Sequence, residues 1–161
     1  MTSLRLPVAV TLRPTTPADG AVLREIYAST RTEELDQVVW APGQREAFLE
    51  MQFSAQDHEY RRVHPEGRFD VVEVDGAVAG RLYVGPLPGD LRIIDIALLP
   101  GYRGRGIGGA LVVGLQDQAR AEGRTVSIHV EVGNPARRLY ERLGFEVAES
   151  LGLHLRMEWS P

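Results

Sequence analysis

The sequence contains neither cysteine nor lysine, and each absence excludes a class of chemistry. Without cysteine there can be no disulfide, no zinc–thiolate centre and no thiol nucleophile. Without lysine, all 18 basic residues are arginine, and the chain has no side-chain amine that could serve as an internal acyl acceptor. Any covalent chemistry must therefore use other side chains, the backbone or a bound molecule.

Long apolar runs and an excess of positive charge are also missing. No segment approaches the about 18 consecutive apolar residues that span a membrane, and residues 1–10 lack the apolar centre of a secretory signal. The net charge is −4 without a basic stripe, which argues against a nucleic-acid partner. We expect a cytoplasmic protein, monomeric or homodimeric, with no nucleic-acid or membrane partner. His58, His64 and His154 have no ligand-spaced partners, so no metal site is expected.

What is present is the composition of an ordinary globular domain, with 161 residues of which 43% are apolar. We expect a single domain over residues 1–161. The predicted strands are residues 6–12, 69–74, 77–84, 91–99, 125–132, 145–149 and 153–159. The predicted helices are residues 16–30, 44–61, 107–123 and 134–145, and residues 33–42 and 85–90 are predicted loops. This order predicts an α/β fold, with a central mixed sheet of about seven strands and helices on both faces.

A glycine- and arginine-rich loop is the most informative segment. It reads Tyr-Arg-Gly-Arg-Gly-Ile-Gly-Gly over residues 102–109, after an apolar strand and before a helix. Glycines let backbone N–H groups turn towards a ligand, a helix N-terminus favours anions, and two arginines add charge, so the loop predicts a phosphate site. Residues 104–109 also fit the dinucleotide fingerprint, with Glu131 as a ribose ligand, but four residues separate the strand from the first glycine.

Two motifs together resemble the acyl-CoA N-acyltransferases of the GNAT superfamily. The first is Arg103, Gly106 and Gly108, which match the family's Arg/Gln-x-x-Gly-x-Gly/Ala pattern after a strand. The second is the segment from Asn134 to Phe145. The resemblance implies the GNAT fold and acetyl-CoA as acyl-donor co-substrate, without a metal. It assigns to acetyl-CoA the residues Ile96, Leu98, Arg103, Gly104, Arg105, Gly106, Ile107, Gly108, Gly109, Asn134 and Arg137.

The resemblance also implies how the acyl group moves. An amine attacks the thioester directly, Tyr140 acts as general acid for the thiolate, and a backbone N–H near Leu98 stabilises the oxyanion. Without the resemblance, Tyr140 would be a core aromatic at helical spacing. Asp95 is the candidate base, directly or through water, with the alternative that it pairs with Arg92. Glu131 and His129 are further candidates for the base.

The acceptor is the least defined part of the hypothesis. The resemblance places it near the first two helices and the last hairpin, and acidic residues there suit a cationic amine. The candidate contacts are Glu33, Glu34, Asp36, Trp40, Glu131 and Glu149. We therefore predict an N-acetyltransferase acting on a primary amine of a small molecule or peptide. The alternatives are a CoA-binding sensor or partner protein without turnover and, more remotely, an NAD(P)-dependent oxidoreductase.

Overall fold

A computed structural model describes residues 9–161. Its strands are β1 Val10–Pro14, β2 Arg68–Val74, β3 Ala77–Leu87, β4 Asp90–Leu98, β5 Thr125–Glu131, β6 Glu146–Leu151 and β7 His154–Trp159. Its α-helices are α1 Gly20–Ser29, α2 Thr32–Asp36, α3 Gln44–Val63, α4 Ile107–Glu122 and α5 Arg137–Arg142. The strands form one sheet in the order β1-β2-β3-β4-β5-β7-β6. Only the β4–β5 pairing in this sheet is parallel, so the predicted seven-stranded mixed sheet is confirmed.

Helices cover both faces of the sheet, as predicted. Neighbouring valines of β2 point to opposite faces: Val71 packs against α1 and α3, whereas Val72 belongs to the larger cluster that includes α4. Both valines are fully buried. Burial on both faces explains why the inner strands read as nearly continuous apolar runs in the sequence.

The predicted hairpin between β2 and β3 is present. Asp75 and Gly76 turn the chain with φ values of 51° and 82°. These left-handed conformations are those that a tight two-residue hairpin requires, and Asp-Gly is a preferred pair for them. The first predicted strand, residues 6–12, lies partly outside the described residues, and its described part pairs with β2 as β1.

Two predicted loops were wrong. Residues 33–42 were expected to be irregular, but α2 occupies the first part of that segment. A five-residue helix with one buried apolar side chain, Leu35, gives no readable period. Residues 85–90 were also predicted as a loop, but β3 continues to Leu87 and β4 begins at Asp90. Because Pro86 pairs with Leu91 in that ladder, local proline and glycine content was overridden by strand pairing.

A gap opens between β4 and β5 and positions the site. The two strands pair only from Asp90↔Thr125 to Ile93↔Ile128, although both continue beyond that point. The pairing with β3 shifts register at the same place, where Ile94 is an extra residue on β4. A bulge of this kind bends and twists its strand. It therefore accounts for β4 leaving β5, and the C-terminal halves of both strands border an open cleft.

Candidate active site

The glycine-rich loop lies at the N-terminus of α4, beside this cleft. Gly104 and Gly106 have φ values of 73° and 79°, and no atom lies within 4 Å of where a Cβ would stand on either residue. The Ala110 N–H donates to Gly106 O at 3.1 Å, so the amides of residues 107–109 precede the first helical hydrogen bond. The loop thus presents backbone N–H groups and open space at the positive end of a 16-residue helix, an arrangement that binds phosphate.

The two loop arginines occupy different positions. The Arg103 Nε donates to Leu98 O at 2.9 Å, and its Nη2 donates to Ser29 Oγ at 3.3 Å. Arg103 therefore joins the loop to the end of β4 and to α1. The Arg105 guanidinium carbon lies 5.5 Å from the centre of the Tyr102 ring. Both side chains are exposed beside the amide cradle, where either one adds positive charge.

The backbone edge of β4 faces the cleft. Leu99 N–H donates to Ala79 O on β3 at 2.8 Å, which makes Leu99 a hydrogen-bonded position of that ladder. Hydrogen-bonded and non-hydrogen-bonded positions alternate along an antiparallel pair. The backbone groups of Ile96 and Leu98 therefore point away from β3 and towards the gap left by β5. This exposed edge can pair with an extended, amide-bearing ligand as an added strand would.

A cavity of about 400 Å³ fills the cleft and brings together seven of the candidate site residues. They are Glu34, Asp95, Ile96, His129, Glu131, Asn134 and Tyr140. Gln56, Tyr60 and Arg81, which were not predicted from the sequence, also line it. The arginine inside the otherwise apolar β3 is the one signal that could have drawn attention to a buried ion pair.

Tyr140 combines both roles considered for it. Its side chain is only 4% exposed, and its ring packs edge-on against Phe145 with ring centres 5.7 Å apart. Among residues 9–161, no side-chain hydrogen bond engages its hydroxyl, and the residue lines the cavity. Burial, together with the nearby Asp95 carboxylate, raises the pKa of Tyr140 to about 12. The hydroxyl therefore stays protonated at neutral pH and is available as a proton donor.

Asp95 is held in an ion pair, but not with Arg92. The Arg81 guanidinium donates to both carboxylate oxygens, from Nη2 at 2.8 Å and from Nε at 3.2 Å, and the Tyr60 hydroxyl donates at 2.7 Å. The Arg81 side chain is 3% exposed and that of Asp95 15%. Arg92 instead donates to Ser127 Oγ at 2.8 Å. Three donors thus fix the Asp95 carboxylate, and Arg81 balances its charge.

His129 and Glu131, the other candidate bases, lie along the β5 side of the cavity. Burial lowers the pKa of His129 below its ordinary value, and the positive charges of Arg92, His154 and Arg156 lower it further. A neutral imidazole at physiological pH has a free nitrogen lone pair and can accept a proton. Glu131 is exposed at the end of β5.

Asn134 and Arg137 lie where β5 leads into α5. Asn134 Oδ1 accepts a hydrogen bond from the Ala136 N–H at 2.9 Å in the turn before α5. The helix begins at Arg137 with Ala136 as its N-cap, so the predicted helix start at Asn134 was wrong. The Arg137 Nε donates to Glu141 Oε1 at 2.6 Å along the surface of α5. Asn134 lines the cavity and also a neighbouring depression, and Arg137 lines only the depression. A ligand contact to either residue remains a prediction.

The structure separates the acceptor candidates near α2. Glu33 is exposed and lies outside the lining of the cavity in the cleft, whereas the adjacent Glu34 lines it. Trp40 lines a second cavity of about 210 Å³, which also has Glu34 in its wall. None of the helices in the described part of the chain has the length and apolar character needed to cross a bilayer. Residues 9–161 contain no group of three or more His, Asp or Glu side chains placed to hold a metal.

Together these features define an α/β protein with an open cleft between two parted strands, bordered by a free strand edge and close to a helix N-terminus. The chain belongs to the Acetyltransferase (GNAT) family, which it matches over residues 23–145. This assignment confirms the resemblance carried by the two motifs, and it leaves the dinucleotide interpretation of residues 104–109 without support.

Named relatives match part of the chain. A mycothiol acetyltransferase of Corynebacterium glutamicum is 49% identical over 60 residues, which are 36% of this chain and 20% of that protein. A putative [ribosomal protein bS18]-alanine N-acetyltransferase of Bacillus subtilis is 32% identical over 85 residues, 52% of this chain and 56% of that protein. The chain therefore spans from about a fifth to about half the length of these relatives.

Solved structures match nearly the whole chain. PaiA N-acetyltransferase of Thermoplasma acidophilum in complex with coenzyme A superposes with a TM-score of 0.69 at 17% identity, covering 96% of this chain and all of that one. A second structure, from Corynebacterium glutamicum, is described as histone acetyltransferase HPA2 and related acetyltransferase. It superposes with a TM-score of 0.67 at 21% identity, and the match covers 94% of this chain and 96% of that one. At these identities the likeness establishes the fold.

Proposed function

We propose that the chain transfers the acetyl group of acetyl-CoA to the nitrogen of a primary amine, carried by a small molecule or a peptide. The observation that carries the proposal is the cleft between β4 and β5. Tyr140 and the edge of β4 line one cavity, and the glycine loop is joined to the end of that edge by the Arg103–Leu98 hydrogen bond, which supports the proposal. The acetyltransferase names of the relatives support acetyl as the acyl group.

The donor would lie along β4 with its pyrophosphate on the loop. The amides of residues 103–109 hold phosphate oxygens, and Arg103 and Arg105 add charge-assisted contacts. The pantetheine amides pair with the backbone of Ile96 and Leu98, which the register turns towards the gap. Asn134 and Arg137, at the far wall, are proposed to contact the same ligand. The fit of the pyrophosphate to the loop depends on Gly104 and Gly106, because both have left-handed backbone conformations that are strained for a residue with a Cβ.

The chemistry is direct acyl transfer. The amine nitrogen attacks the thioester carbon, and the developing oxyanion accepts a hydrogen bond from a β4 backbone N–H near Leu98. As the carbon–sulfur bond breaks, the Tyr140 hydroxyl gives its proton to the sulfur. A pKa of about 12 keeps this proton in place until it is needed. The same burial also raises the pKa of the CoA thiol, which brings it closer to the pKa of the Tyr140 hydroxyl that gives up the proton.

The ammonium proton must leave before or during attack. We propose that Asp95 receives it through water, although its carboxylate is already bound by Arg81 and Tyr60. Four lone-pair sites are available on a carboxylate, and three are used here, which leaves one for water. His129 is the second candidate, because its lowered pKa leaves the ring neutral. The two are separable: Asp95→Asn removes the first route and His129→Gln the second.

Release of free CoA tests the proposal. The full chain is mixed with acetyl-CoA and a panel of amines, and thiol release is followed with product mass spectrometry. We expect amine-dependent release and a product heavier by one acetyl group. Saturable CoA binding with no release for any amine would instead support a sensor without turnover. Saturable binding of NAD or NADP, with none of CoA, would contradict both.

A further inference from the structure

A second cavity adjoins the catalytic one and is lined differently. It has a volume of about 210 Å³ and lies between α1, α2 and α3. One wall is apolar and aromatic, with Tyr27, Leu35, Trp40, Phe48 and Leu49 in it, and polar side chains, Arg31, Glu34 and Gln52, complete the lining. An engineered apolar cavity of about 150 Å³ stays dry and binds benzene. The space is therefore large enough for one phenyl ring or a branched alkyl group.

The aromatic wall is fixed in place. The Trp40 indole N–H donates to Leu35 O at 2.9 Å, which satisfies its polar atom and leaves the ring to face the cavity. The Trp40 and Phe48 ring centres are 5.3 Å apart. Tyr27 and Leu35 are 5% and 4% exposed. A pre-formed aromatic wall of this kind loses little conformational entropy when a ligand binds against it.

Two charged side chains stand where the cavities meet. Arg31 and Glu34 line both, and the Arg31 Nη1 lies 3.3 Å from Glu34 Oε1. The catalytic cavity adds the Asp95 carboxylate, which Arg81 balances, and Glu131. Over the passage and the catalytic cavity together, the carboxylates of Glu34, Asp95 and Glu131 outnumber the guanidinium groups of Arg31 and Arg81. This balance favours a positively charged group and disfavours a second carboxylate on the ligand.

We infer that this aromatic cavity holds the apolar body of the acceptor, and that the acceptor is an arylalkylamine or a similar apolar primary amine without a carboxylate. The apolar group lies against Trp40, and the ammonium passes Glu34 into the catalytic cavity. Because Gln52 and Gln56 are one turn apart on α3 and line one cavity each, a single small molecule can reach across. The inference deepens the proposed function and depends on it for the identity of the site.

Calorimetric titration of the CoA-bound full chain tests the cavity without requiring turnover. Phenethylamine is expected to bind at least ~10-fold more tightly than propylamine, the size of effect an apolar pocket gives for a few extra carbons. Phenylalanine, which adds a carboxylate, and diaminobutane, which lacks an apolar end, are expected to bind more weakly than phenethylamine. Equal binding of phenethylamine and propylamine, or tightest binding of diaminobutane or phenylalanine, would overturn the inference.

Matched variants locate the binding. Trp40→Ala is expected to weaken phenethylamine binding about 10-fold while propylamine is unaffected. Val39→Ala changes a neighbouring side chain that is 98% exposed and should alter neither. If Trp40→Ala does not fold by circular dichroism, Leu49→Trp, which fills the cavity, replaces it with the same expected loss. Unchanged phenethylamine binding in the folded variant would overturn the assignment.

A second pair tests the passage. Glu34→Gln is expected to weaken both amines about 2- to 5-fold, the range for a partly exposed ion pair. Glu25→Gln, an exposed carboxylate of α1 outside both cavities, should have no effect. No loss in Glu34→Gln would overturn the role of the charge.

The two proposals fail differently. Phenethylamine binding that depends on Trp40, without CoA release, supports the cavity assignment and contradicts the transferase. CoA release with amines that do not depend on Trp40 supports the transferase and overturns the cavity assignment.

Discussion

The two sides of the cleft, the proposed donor side and the proposed acceptor side, present different chemical groups to a ligand. On the donor side, β4 and the N-terminus of α4 present backbone groups, and two left-handed glycines keep them open. On the acceptor side, α1, α2 and α3 present side chains: a buried ion pair, an aromatic wall and a pair of charges at the passage. Backbone recognition depends on conformation and tolerates changes in most side chains, whereas side-chain recognition can change with one substitution. Under the proposed function, we therefore expect the donor side to tolerate side-chain changes and the acceptor side to determine specificity.

The largest expected effect is on stability, and it comes from breaking the buried ion pair of Arg81 and Asp95. It tests whether the structure of the acceptor side depends on particular side chains. Arg81→Met leaves the Asp95 carboxylate buried without its counter-charge, so we expect a loss of about 3–5 kcal/mol in the free energy of unfolding, measured by urea denaturation. Arg81→Met combined with Asp95→Leu removes both charges and should recover most of that loss. A double variant as unstable as the single one would show that the ion pair itself is not the cause.

Tyr140 stands where the two sides meet. Tyr140→Phe removes the proposed proton donor but keeps the ring against Phe145, so kcat should fall about 10²- to 10⁴-fold while the melting temperature changes little. The matched control is Tyr83→Phe, since Tyr83 is fully buried and its hydroxyl has no hydrogen-bond partner within residues 9–161. Full activity of Tyr140→Phe would exclude this hydroxyl as the acid.

The glycine cradle is tested by adding a single methyl group. Gly106→Ala places a Cβ on a residue with φ of 79°, at a cost of about 1–2 kcal/mol. We expect the KM for acetyl-CoA to rise about 10-fold while the Kd of the amine is unchanged. Gly101→Ala is the control, because Gly101 has space for a Cβ and no positive φ. Equal effects of the two alanines would indicate that conformation at position 106 is not what the donor requires.

The smallest expected effect is in the pH profile, where we expect no loss of kcat at alkaline pH. A general acid works only while it is protonated, and the pKa of Tyr140 is raised to about 12. With saturating amine, kcat should therefore hold its value through about pH 10, where an ordinary tyrosine would be half ionised. The measurement is the pH profile of kcat in the wild type. A fall centred near pH 10 would mean that the hydroxyl is not shielded as the structure indicates.

Local patterns were enough to predict much of the donor side. Glycines 104, 106, 108 and 109 lie between an apolar strand and a periodic helix, and each element of that unit is defined by neighbours in sequence. The second motif, from Asn134 to Phe145, is equally local. The acceptor side was predicted poorly because its parts come from distant segments: Tyr60 and Asp95 are 35 residues apart and meet only when α3 packs on the sheet. A contact between such distant segments leaves no periodic pattern in the sequence.

The sequence by itself determined the family, the seven strands and the cradle, because these depend on hydrophobic period, turn residues and two short motifs. Tertiary structure decided the rest. It showed that α2 exists, that Asp95 pairs with Arg81 and not with Arg92, and that Glu34, rather than Glu33, faces the cavities. The physical reason is that pairing and burial depend on distances through space, and a residue's neighbours in the fold are not its neighbours in the chain.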